Sequence, residues 1–380
     1  MRTSNSIVGL KSLWPIATER DASLFCTPQW LECNEPADTS GLHYAVTDDA
    51  RGALAVRRLE AGGFPANDPL AFLSAETPAE SADRHRASVL SAAVRPHVPA
   101  LAPTAAAILP GAYAPGIVAP AAPPVVSSLL DELDATAEKW GCPTRAVMHV
   151  PASARLLREM LESRGYVGVT SLAQTVLPVP GGSFDDYLVG LPRKRRTNVR
   201  RERRVFAESG MTVRRADIGE FSTEHALLHA RQLRRYGHDF GTEQLVELIR
   251  RSARFFGDWA VFLVAERGQR VEAFSLSYTL GGQLHPKMSG FSEYADEHFA
   301  YFNVNYYQLI EVAQTLGLRE LVFGPGTYEA KVHRGCVLDP RTTYVRVGHP
   351  VIAPMVVELA AIADRSGRAA LDLIAAPDAR

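Results

Sequence analysis

Twelve consecutive residues, RKRRTNVRRERR at positions 193–204, contain eight arginine or lysine side chains and one glutamate. The segment thus has a local charge of +7 in a chain whose net charge is −1, so the remainder of the chain is acidic. A basic segment in an acidic background indicates binding of a polyanion, because arginines in a row neutralise backbone phosphates without reading sequence. The other interpretation is a helix face that is merely solvated.

A helix over this segment would place several arginines near one face, at steps of three, four, three and one residues. Val199 and Phe206, which are seven residues apart, would then face the core. We expect the arginines of that face to bind phosphate groups of a donor substrate: Arg193, Arg196, Arg200, Arg203 and Arg204.

The sequence does not contain the motifs of several other catalytic mechanisms. It has no G-x-S-x-G nucleophile elbow, no P-loop and no H-E-x-x-H metal motif. The four cysteines form no C-x-x-C pair and no Cys/His cluster with zinc spacing, so no metal site is predicted. So few cysteines indicate a reducing compartment, and the first residues contain no secretory apolar region. We therefore predict a cytoplasmic protein without a membrane span.

The helices and strands that would position the basic segment are predicted most clearly in the second half of the chain. Hydrophobic periodicity and glycine turns predict a helix or helix pair ending at Gly210, a strand and two helices. An antiparallel three-strand meander, a long amphipathic helix, a strand, a helix and a final strand follow. The first half predicts alternating helices and strands. The 380 residues indicate two domains, 1–178 and 179–350, and a helical tail at 351–380.

Three stretches resemble Fem-like aminoacyltransferases and related tandem-GNAT proteins, over about residues 20–347. LPRKRRTNVRRERRVFAESGMTV is similar to the stretch that opens the second lobe of these enzymes, and SLFCTPQWLE resembles their N-terminal motif. GFSEYADEHFAYFNVNYYQLIEVAQTLGLRELVFGPGTYEAKVHRG resembles a later block, in which an aromatic-rich helix leads to a strand, a glycine, and a lysine followed by a glycine. Here these are Gly324, Lys331 and Gly335.

The resemblance implies an α/β (α+β) fold of two tandem GNAT-like lobes, each with a mixed, mostly antiparallel sheet flanked by helices. It also implies that only the second lobe keeps a complete active cleft, and that the activity is transfer of an acyl group to an amine. In the best-known members of the family the donor is aminoacyl-tRNA. In others the donor is acyl-CoA or is undetermined.

One stretch departs from the acetyl-CoA enzymes of the GNAT superfamily. Those enzymes carry an R/Q-x-x-G-x-G/A loop whose backbone N–H groups cradle the pyrophosphate. The equivalent stretch here, SEYADEHFAYFN, contains no glycine, and its side chains would block a close approach to the backbone. This departure favours aminoacyl-tRNA over acyl-CoA as the donor, and no resident cofactor is predicted.

The resemblance also assigns two catalytic residues. Lys331 matches the lysine of the Fem-like pattern, where a basic side chain faces the reacting ester and the donor's phosphates. Tyr328 falls where many GNAT enzymes keep a tyrosine that protonates the leaving group, which in this case would be the 3′-oxygen of tRNA. The alternatives are a solvated helix lysine and a half-buried packing tyrosine.

The acceptor site is predicted around the third strand of the meander, which faces the cleft in this fold. Lys287 lies on that strand, and His285 lies two residues earlier on the same side. Tyr307, in the aromatic-rich helix, is a further acceptor-binding candidate, with helix core as its alternative. The general base stays open among four residues: His285, Asp296, Glu297 and His298.

These patterns together predict transfer of an aminoacyl group from aminoacyl-tRNA to an amine of a small-molecule acceptor, in natural-product or cell-wall-related biosynthesis. The Ala-, Arg- and Pro-rich composition is typical of a high-GC organism such as an actinomycete, where such enzymes also serve natural-product pathways. No long heptad segment is present, which weakens the cell-wall interpretation. Two alternatives remain open: an acyl-CoA-dependent N-acyltransferase, and a non-catalytic GNAT scaffold that binds tRNA or another ligand.

Overall fold

A computed structural model describes residues 1–15, 24–61, 65–74, 81–235, 237 and 240–376. Its strands, in chain order, are β1 (Arg2–Ser4), β2 (Leu42–Val46), β3 (Ala53–Leu59), β4 (Thr104–Ala107), β5 (Ile117–Val118), β6 (Thr144–Pro151), β7 (Val167–Pro178), β8 (Thr212–Ala216), β9 (Ala260–Arg267), β10 (Arg270–Leu280), β11 (Gln283–Phe291), β12 (Glu320–Phe323) and β13 (Val337–Val347).

The helices alternate with these strands. The α-helices are α1 (Pro28–Cys33), α2 (Ala71–Ser74), α3 (Ser81–Val94), α4 (Pro123–Lys139), α5 (Arg155–Ser163), α6 (Phe184–Val189), α7 (Arg193–Glu208), α8 (Thr223–Arg235), α9 (Thr242–Phe256), α10 (Glu293–Glu297), α11 (Ala300–Phe302), α12 (Gln308–Thr315), α13 (Tyr328–Val332) and α14 (Ala353–Ala375). Short 3₁₀ turns lie at Ile7–Leu10, Leu24–Cys26, Pro65–Asn67, Arg95–Leu101, Ile218–Glu220 and Gly257–Trp259, and a π-helical turn, Asn303–Tyr307, joins α11 to α12.

Two compact units share the chain. Among the described residues, unit 1 takes in residues 1–15, 25–174 and 338–376, and unit 2 consists chiefly of residues 175–337. The sequence placed the domain boundaries at 178/179 and 350/351, and these boundaries stay a prediction. The contacts within the chain divide it instead at 174/175 and 337/338, and they group the helical tail with unit 1.

Unit 1 is built on a sheet in the order β1–β2–β3–β4–β6–β13–β7, with β5 paired to β3. The pairings among β1 to β5 and of β13 with β6 are antiparallel, and β4 runs parallel to β6. Helices cover both faces: α4 and α5 pack on one through Leu129 and Leu161, and α3 and α14 on the other through Leu90 and Leu359. The central strand β4 has the sequence TAAA and is fully buried, as expected for a strand covered on both faces.

Unit 2 is built on a sheet in the order β7–β12–β11–β10–β9–β8, to which β7 contributes residues 175–178. Strands β8 to β11 are antiparallel, and β11 runs parallel to β12. The helical stretch from Ala300 to Thr315 covers one face, where Tyr306 and Ile310 join the hydrophobic core. Helix α8 lies against β11 at Gly290, where an added Cβ would lie 2.7 Å from the backbone nitrogen of His229.

The observed architecture confirms the predicted α/β (α+β) class, with mixed and mostly antiparallel sheets flanked by helices. The segment before Gly210 is a helix pair, α6 and α7, and Gly210 ends it at a φ of +75°. One local feature differs from the expected long helix: the π-helical turn at Asn303–Tyr307 interrupts it, and all five of its residues are buried. Among the described residues, no helix combines the length and the apolar composition needed to cross a bilayer.

Candidate active site in unit 2

The basic segment forms helix α7, which begins directly after Pro192. Val199 and Phe206 are its buried residues, so the predicted core face is confirmed. Most of the basic side chains, including Arg193 and Arg200, are exposed. Helix α7 therefore carries a dense positive charge on its solvent side while a narrow apolar stripe holds it to the core.

The predicted phosphate-binding arginines of α7 differ in how far their charge is compensated. Arg203 donates to Glu311 at 2.8 Å, and its guanidinium lies 4.0 Å from the centre of the Phe184 ring. Arg204 reaches Glu208 only at 4.0 Å, and Arg196 donates to the carbonyl of Val189 at 3.5 Å. Within the described part of the chain, neither Arg193 nor Arg200 pairs with an acidic side chain. Their charge is therefore available to an anionic ligand.

A cavity of about 370 Å³ lies beside α7 in unit 2. Its lining comes from α7, from the end of α11 and from the α13 region: Arg195, Asn198, Val199, Glu202, Phe302, Glu329, Ala330, His333 and Arg334. The α7 residues that line it follow steps of three and four, so they share one helix face. That face contains Arg195 and not the five arginines selected from the sequence, although all belong to the same helix.

A hydrogen-bonded network forms one wall of this cavity. Arg334 donates from Nη2 to both carboxylate oxygens of Glu202, at 2.9 Å each, and from Nε to the Tyr307 hydroxyl at 3.0 Å. Tyr307 in turn donates to Glu202, and the Arg334 guanidinium lies 3.3 Å from the centre of the Phe302 ring. Burial alone would lower the pKa of Arg334, but Tyr307 and Glu202 raise it, so the arginine stays charged.

Lys331 is buried rather than solvated, with only 5% of its surface exposed. Its Nζ donates to the carbonyl oxygen of Gly324 and lies 3.4 Å from that of Pro325. No carboxylate pairs with it among the described residues. Burial lowers the pKa of Lys331 to about 8, with the neighbouring Cys336 acting in the opposite direction. Burial raises the pKa of the Cys336 thiol to about 12, so that thiol stays protonated.

Lys331 donates to a residue that directly follows β12, next to a point where two parallel strands separate. The pairing of β11 with β12 covers only two residue pairs, Gln283 with Glu320 and Leu284 with Leu321. Past these pairs β11 continues for seven residues without further pairing to β12. Along this part of β11 the carbonyl oxygens of Ser289 and Phe291 accept from the side chains of His229 and Arg231.

Backbone N–H groups of the stretch between β11 and α11 form hydrogen bonds within that stretch. Ser292 Oγ accepts from the backbone N–H of Ala295 at 3.0 Å and donates to the buried carboxylate of Glu272. Further backbone N–H groups of this stretch donate to carbonyl oxygens within it: those of Asp296, His298, Phe299, Phe302 and Asn303. The glycine-free segment therefore forms the short helix α10 in place of an open amide cradle for a pyrophosphate.

Residues 193–332 match the family model described as an acetyltransferase (GNAT) domain. This part of unit 2 is therefore a GNAT domain. The fold is similar to the crystal structure of FemX, with a TM-score of 0.56 at 12% identity over 91% of this chain and 97% of that one. It is also similar to the C-terminal domain (DUF2156) of a protein from Agrobacterium fabrum described as a lysylphosphatidylglycerol synthetase, with a TM-score of 0.52 at 10% identity, covering 94% and 97% of the two chains. A search of curated protein sequences finds no match.

In unit 2 the predicted acceptor residues occupy different environments. His285 is buried, and burial together with the charge of Lys287 lowers its pKa to about 3. Lys287 is half-buried, and burial lowers its pKa to about 8. A shift in the register of β10 and β11 lies at Lys287, whereas His285 pairs with Tyr278 in the regular ladder. Whether either residue binds the acceptor stays a prediction.

The other predicted site residues of unit 2 precede or follow α11 in the sequence. Tyr328 is half-buried and opens α13 after Thr327, whose φ of +47° turns the chain sharply. Asp296 forms ion pairs with Arg231 and Arg235 through Oδ2, at 3.0 and 2.5 Å. His298 contacts the carbonyl oxygen of Tyr294 through Nδ1 at 2.8 Å, and Glu297 is exposed.

Sequence reasoning missed several residues of the cavity. Glu202 is the single acid of the basic segment, and that isolation was the available signal that it pairs with something elsewhere in the fold. Its partner Arg334 is 132 positions away and belongs to no local pattern. Arg195 and Asn198 share a helical face with Glu202. Among the described residues, no group of three His, Cys, Asp or Glu side chains could hold a metal ion.

Proposed function

We propose that this protein transfers an aminoacyl group from aminoacyl-tRNA to an amine of a small-molecule acceptor, forming an amide. The observation that carries the proposal is the uncompensated positive charge of α7 beside a cavity in the GNAT unit. Arg193 and Arg200 of this helix have no acidic partner in the part of the chain that the structure describes, which fits a ligand with several phosphates. The transfer would belong to natural-product or cell-wall-related biosynthesis, and natural-product biosynthesis is favoured.

The donor class is argued from the stretch that follows β11. A coenzyme A pyrophosphate needs several backbone N–H groups that point at it. Here the N–H groups of Asp296, His298 and Phe299 donate to neighbouring carbonyls within the stretch. An RNA donor does not need such a set of backbone N–H groups, because arginine side chains bind its phosphates. This difference supports aminoacyl-tRNA as the donor.

The chemistry of the proposed transfer needs a positive charge and a proton donor. The amine nitrogen attacks the ester carbonyl carbon, a C–N bond forms, and negative charge develops on the carbonyl oxygen. The bond to the tRNA 3′-oxygen then breaks, that oxygen takes a proton, and the amine loses one. Lys331 has three N–H donors, of which the Gly324 and Pro325 carbonyls use two. We assign its third N–H to the developing oxyanion and the Tyr328 hydroxyl to the leaving oxygen.

Binding of bulk charged tRNA tests the donor class directly, by filter retention across a salt series, with acetyl-CoA measured by calorimetry in the same buffers. We expect salt-sensitive retention of tRNA and no heat from acetyl-CoA. The variant with Arg193→Glu and Arg200→Glu should weaken retention, and the slope of log K against log salt should fall by about 0.7–0.9 for each phosphate that α7 no longer neutralises.

A matched control separates the α7 site from overall charge. Arg84→Glu with Arg95→Glu makes the same change in net charge at exposed positions of unit 1, and it should leave tRNA retention near the unmodified level. Equal losses in the two double variants would remove the specific role of α7. The second candidate, an acyl-CoA donor, is favoured by the acetyltransferase description of the matched family. Clear binding of acetyl-CoA without tRNA retention would establish it in place of the first.

A further inference from the structure

In unit 1 the parallel pairing of β4 with β6 ends where β4 ends, at Ala107. Strand β4 pairs with β6 from Thr104 with Thr144 to Ala107 with Val147. The pairing ends there, although β6 continues through Pro151. Met148 and His149 are the next residues on β6, so His149 lies two positions past the last pair.

His149 has an unusual backbone for its residue type. Its φ is +58°, in the left-handed region that side chains other than glycine adopt at a cost on the order of 1 kcal/mol. On the other side of β6, Thr342 of β13 pairs with Val150 and Tyr344 pairs with Val147, so the register shifts beside His149. Such an irregularity re-aims a side chain, and here that side chain is the His149 imidazole.

The polar groups around His149 are buried and incompletely bonded. The residue is 1% exposed, and neither ring nitrogen has a hydrogen-bond partner among the described residues. The buried Nε of Arg341 likewise has none there, although its Nη2 donates to Gln174 Oε1 at 2.6 Å and to Asp339. Buried polar groups in native proteins are nearly always satisfied, so three such atoms in one neighbourhood indicate a missing partner.

The unbonded N–H groups of His149 and Arg341 indicate which chemical group the missing partner must contain. Burial and then the charge of Arg341 lower the pKa of His149 to about 4, so the ring is neutral near pH 7 and has one N–H to donate. The Arg341 Nε–H is a second donor, and it belongs to a cation. The Tyr113 ring lies 5.5 Å from the imidazole in an edge-on arrangement and supplies an apolar wall. Two donors beside a cation match the two oxygens of a carboxylate.

We propose that unit 1 holds a binding site for a small carboxylate, formed by His149 and Arg341 against Tyr113, on the part of β6 that extends past its pairing with β4. Nothing in the proposed aminoacyl transfer uses these residues, and the site does not depend on it. The ligand would be a carboxylate-bearing small molecule, and acetate is the simplest probe of the shared chemistry.

Nitrogen chemical shifts of the histidine rings in the full-length protein provide the test. His149 is assigned by comparison with His149→Asn, because asparagine tolerates the left-handed backbone that a larger side chain would strain. Sodium acetate is titrated at constant ionic strength against sodium chloride and against neutral acetamide. We expect acetate alone to produce a saturable shift of the His149 signals, and Arg341→Gln to weaken acetate at least tenfold.

Arg84→Gln, which removes an exposed arginine of unit 1, is the matched control and should leave acetate binding unchanged. Thermal unfolding of each variant verifies that the fold is retained. The proposal is overturned if acetate gives no saturable shift, which would assign the unbonded nitrogens to an ordered water only. It is also overturned if acetamide or chloride gives the same shift as acetate, or if Arg341→Gln binds acetate as well as the unmodified protein does.

Discussion

The Nζ of Lys331 donates a hydrogen bond to the carbonyl oxygen of Gly324, the residue that directly follows β12. This contact places a buried ammonium group next to the point where β11 and β12 separate. The ammonium is held by carbonyl dipoles and has no acidic partner among the described residues. A cation held in this way keeps its charge directed at a ligand instead of losing it to an ion pair.

Replacement of Lys331 tests its proposed role in catalysis. We expect Lys331→Ala and the better-packed Lys331→Met to lower single-turnover transfer from charged tRNA by about 100-fold or more, the effect of removing one oxyanion donor. The tRNA retention should change little, and thermal unfolding should show an intact fold. Activity that survives either substitution would show that the assignment of Lys331 is wrong.

The pKa of Lys331 predicts a dependence of stability on pH. Burial lowers this pKa to about 8, below the ordinary value of 10.5, so the folded chain binds fewer protons than the unfolded chain between these two values. The stability relative to Lys331→Met should therefore rise with pH from about 8 to 10.5, by on the order of 3 kcal/mol. Urea unfolding of both proteins at pH values of about 7, 9 and 10 measures this change in stability. The same dependence of the free energy of unfolding on pH in the two proteins would contradict the buried environment of Lys331.

The ion pair of Glu202 with Arg334 predicts strong coupling between two distant positions. Both side chains are largely buried, so Arg334→Met should leave the Glu202 carboxylate without its partner and destabilise the fold by about 3 kcal/mol. Adding Glu202→Gln should restore part of that loss, as a double-mutant cycle in urea would measure. Arg204→Met breaks only an exposed contact and should cost less than about 0.5 kcal/mol. Additive effects of the two buried changes would contradict the network.

The position of Gly290 is expected to tolerate no side chain. An added Cβ would lie 2.6 Å from the Phe274 ring and 2.7 Å from the backbone of α8, which cannot move away cheaply. Gly290→Ala should therefore destabilise the protein by about 2 kcal/mol or more. Gly257→Ala is the matched control, since among the described residues no atom beyond its chain neighbours and its own helix lies within 4 Å of the added Cβ. Its thermal midpoint should stay close to that of the unmodified protein. A similar midpoint for Gly290→Ala would refute the close approach of α8.

Local patterns in the sequence were sufficient to predict most of the elements and the burial of Val199 and Phe206, because both follow from periodicity within one helix or strand. The Glu202–Arg334 contact could not be predicted in this way, since its two residues share no local pattern. The left-handed backbone of His149 could not be predicted from local patterns either, because it arises from the pairing of β6 with β13. Local chemistry thus indicated the region of the candidate site, and long-range packing decides which side chains complete it.

The π-helical turn at Asn303–Tyr307 has a consequence for how the cavity is aligned with the core. A π turn takes up one more residue than an α-helical turn, and each residue of an α-helix rotates the chain by about 100°. If the same residues formed a regular α-helix instead, Phe302 would be rotated by about that angle relative to Leu309 and Ile310. Phe302 would then leave its place under the Arg334 guanidinium. The wider turn thus absorbs one residue and keeps the cavity wall in phase with the hydrophobic core.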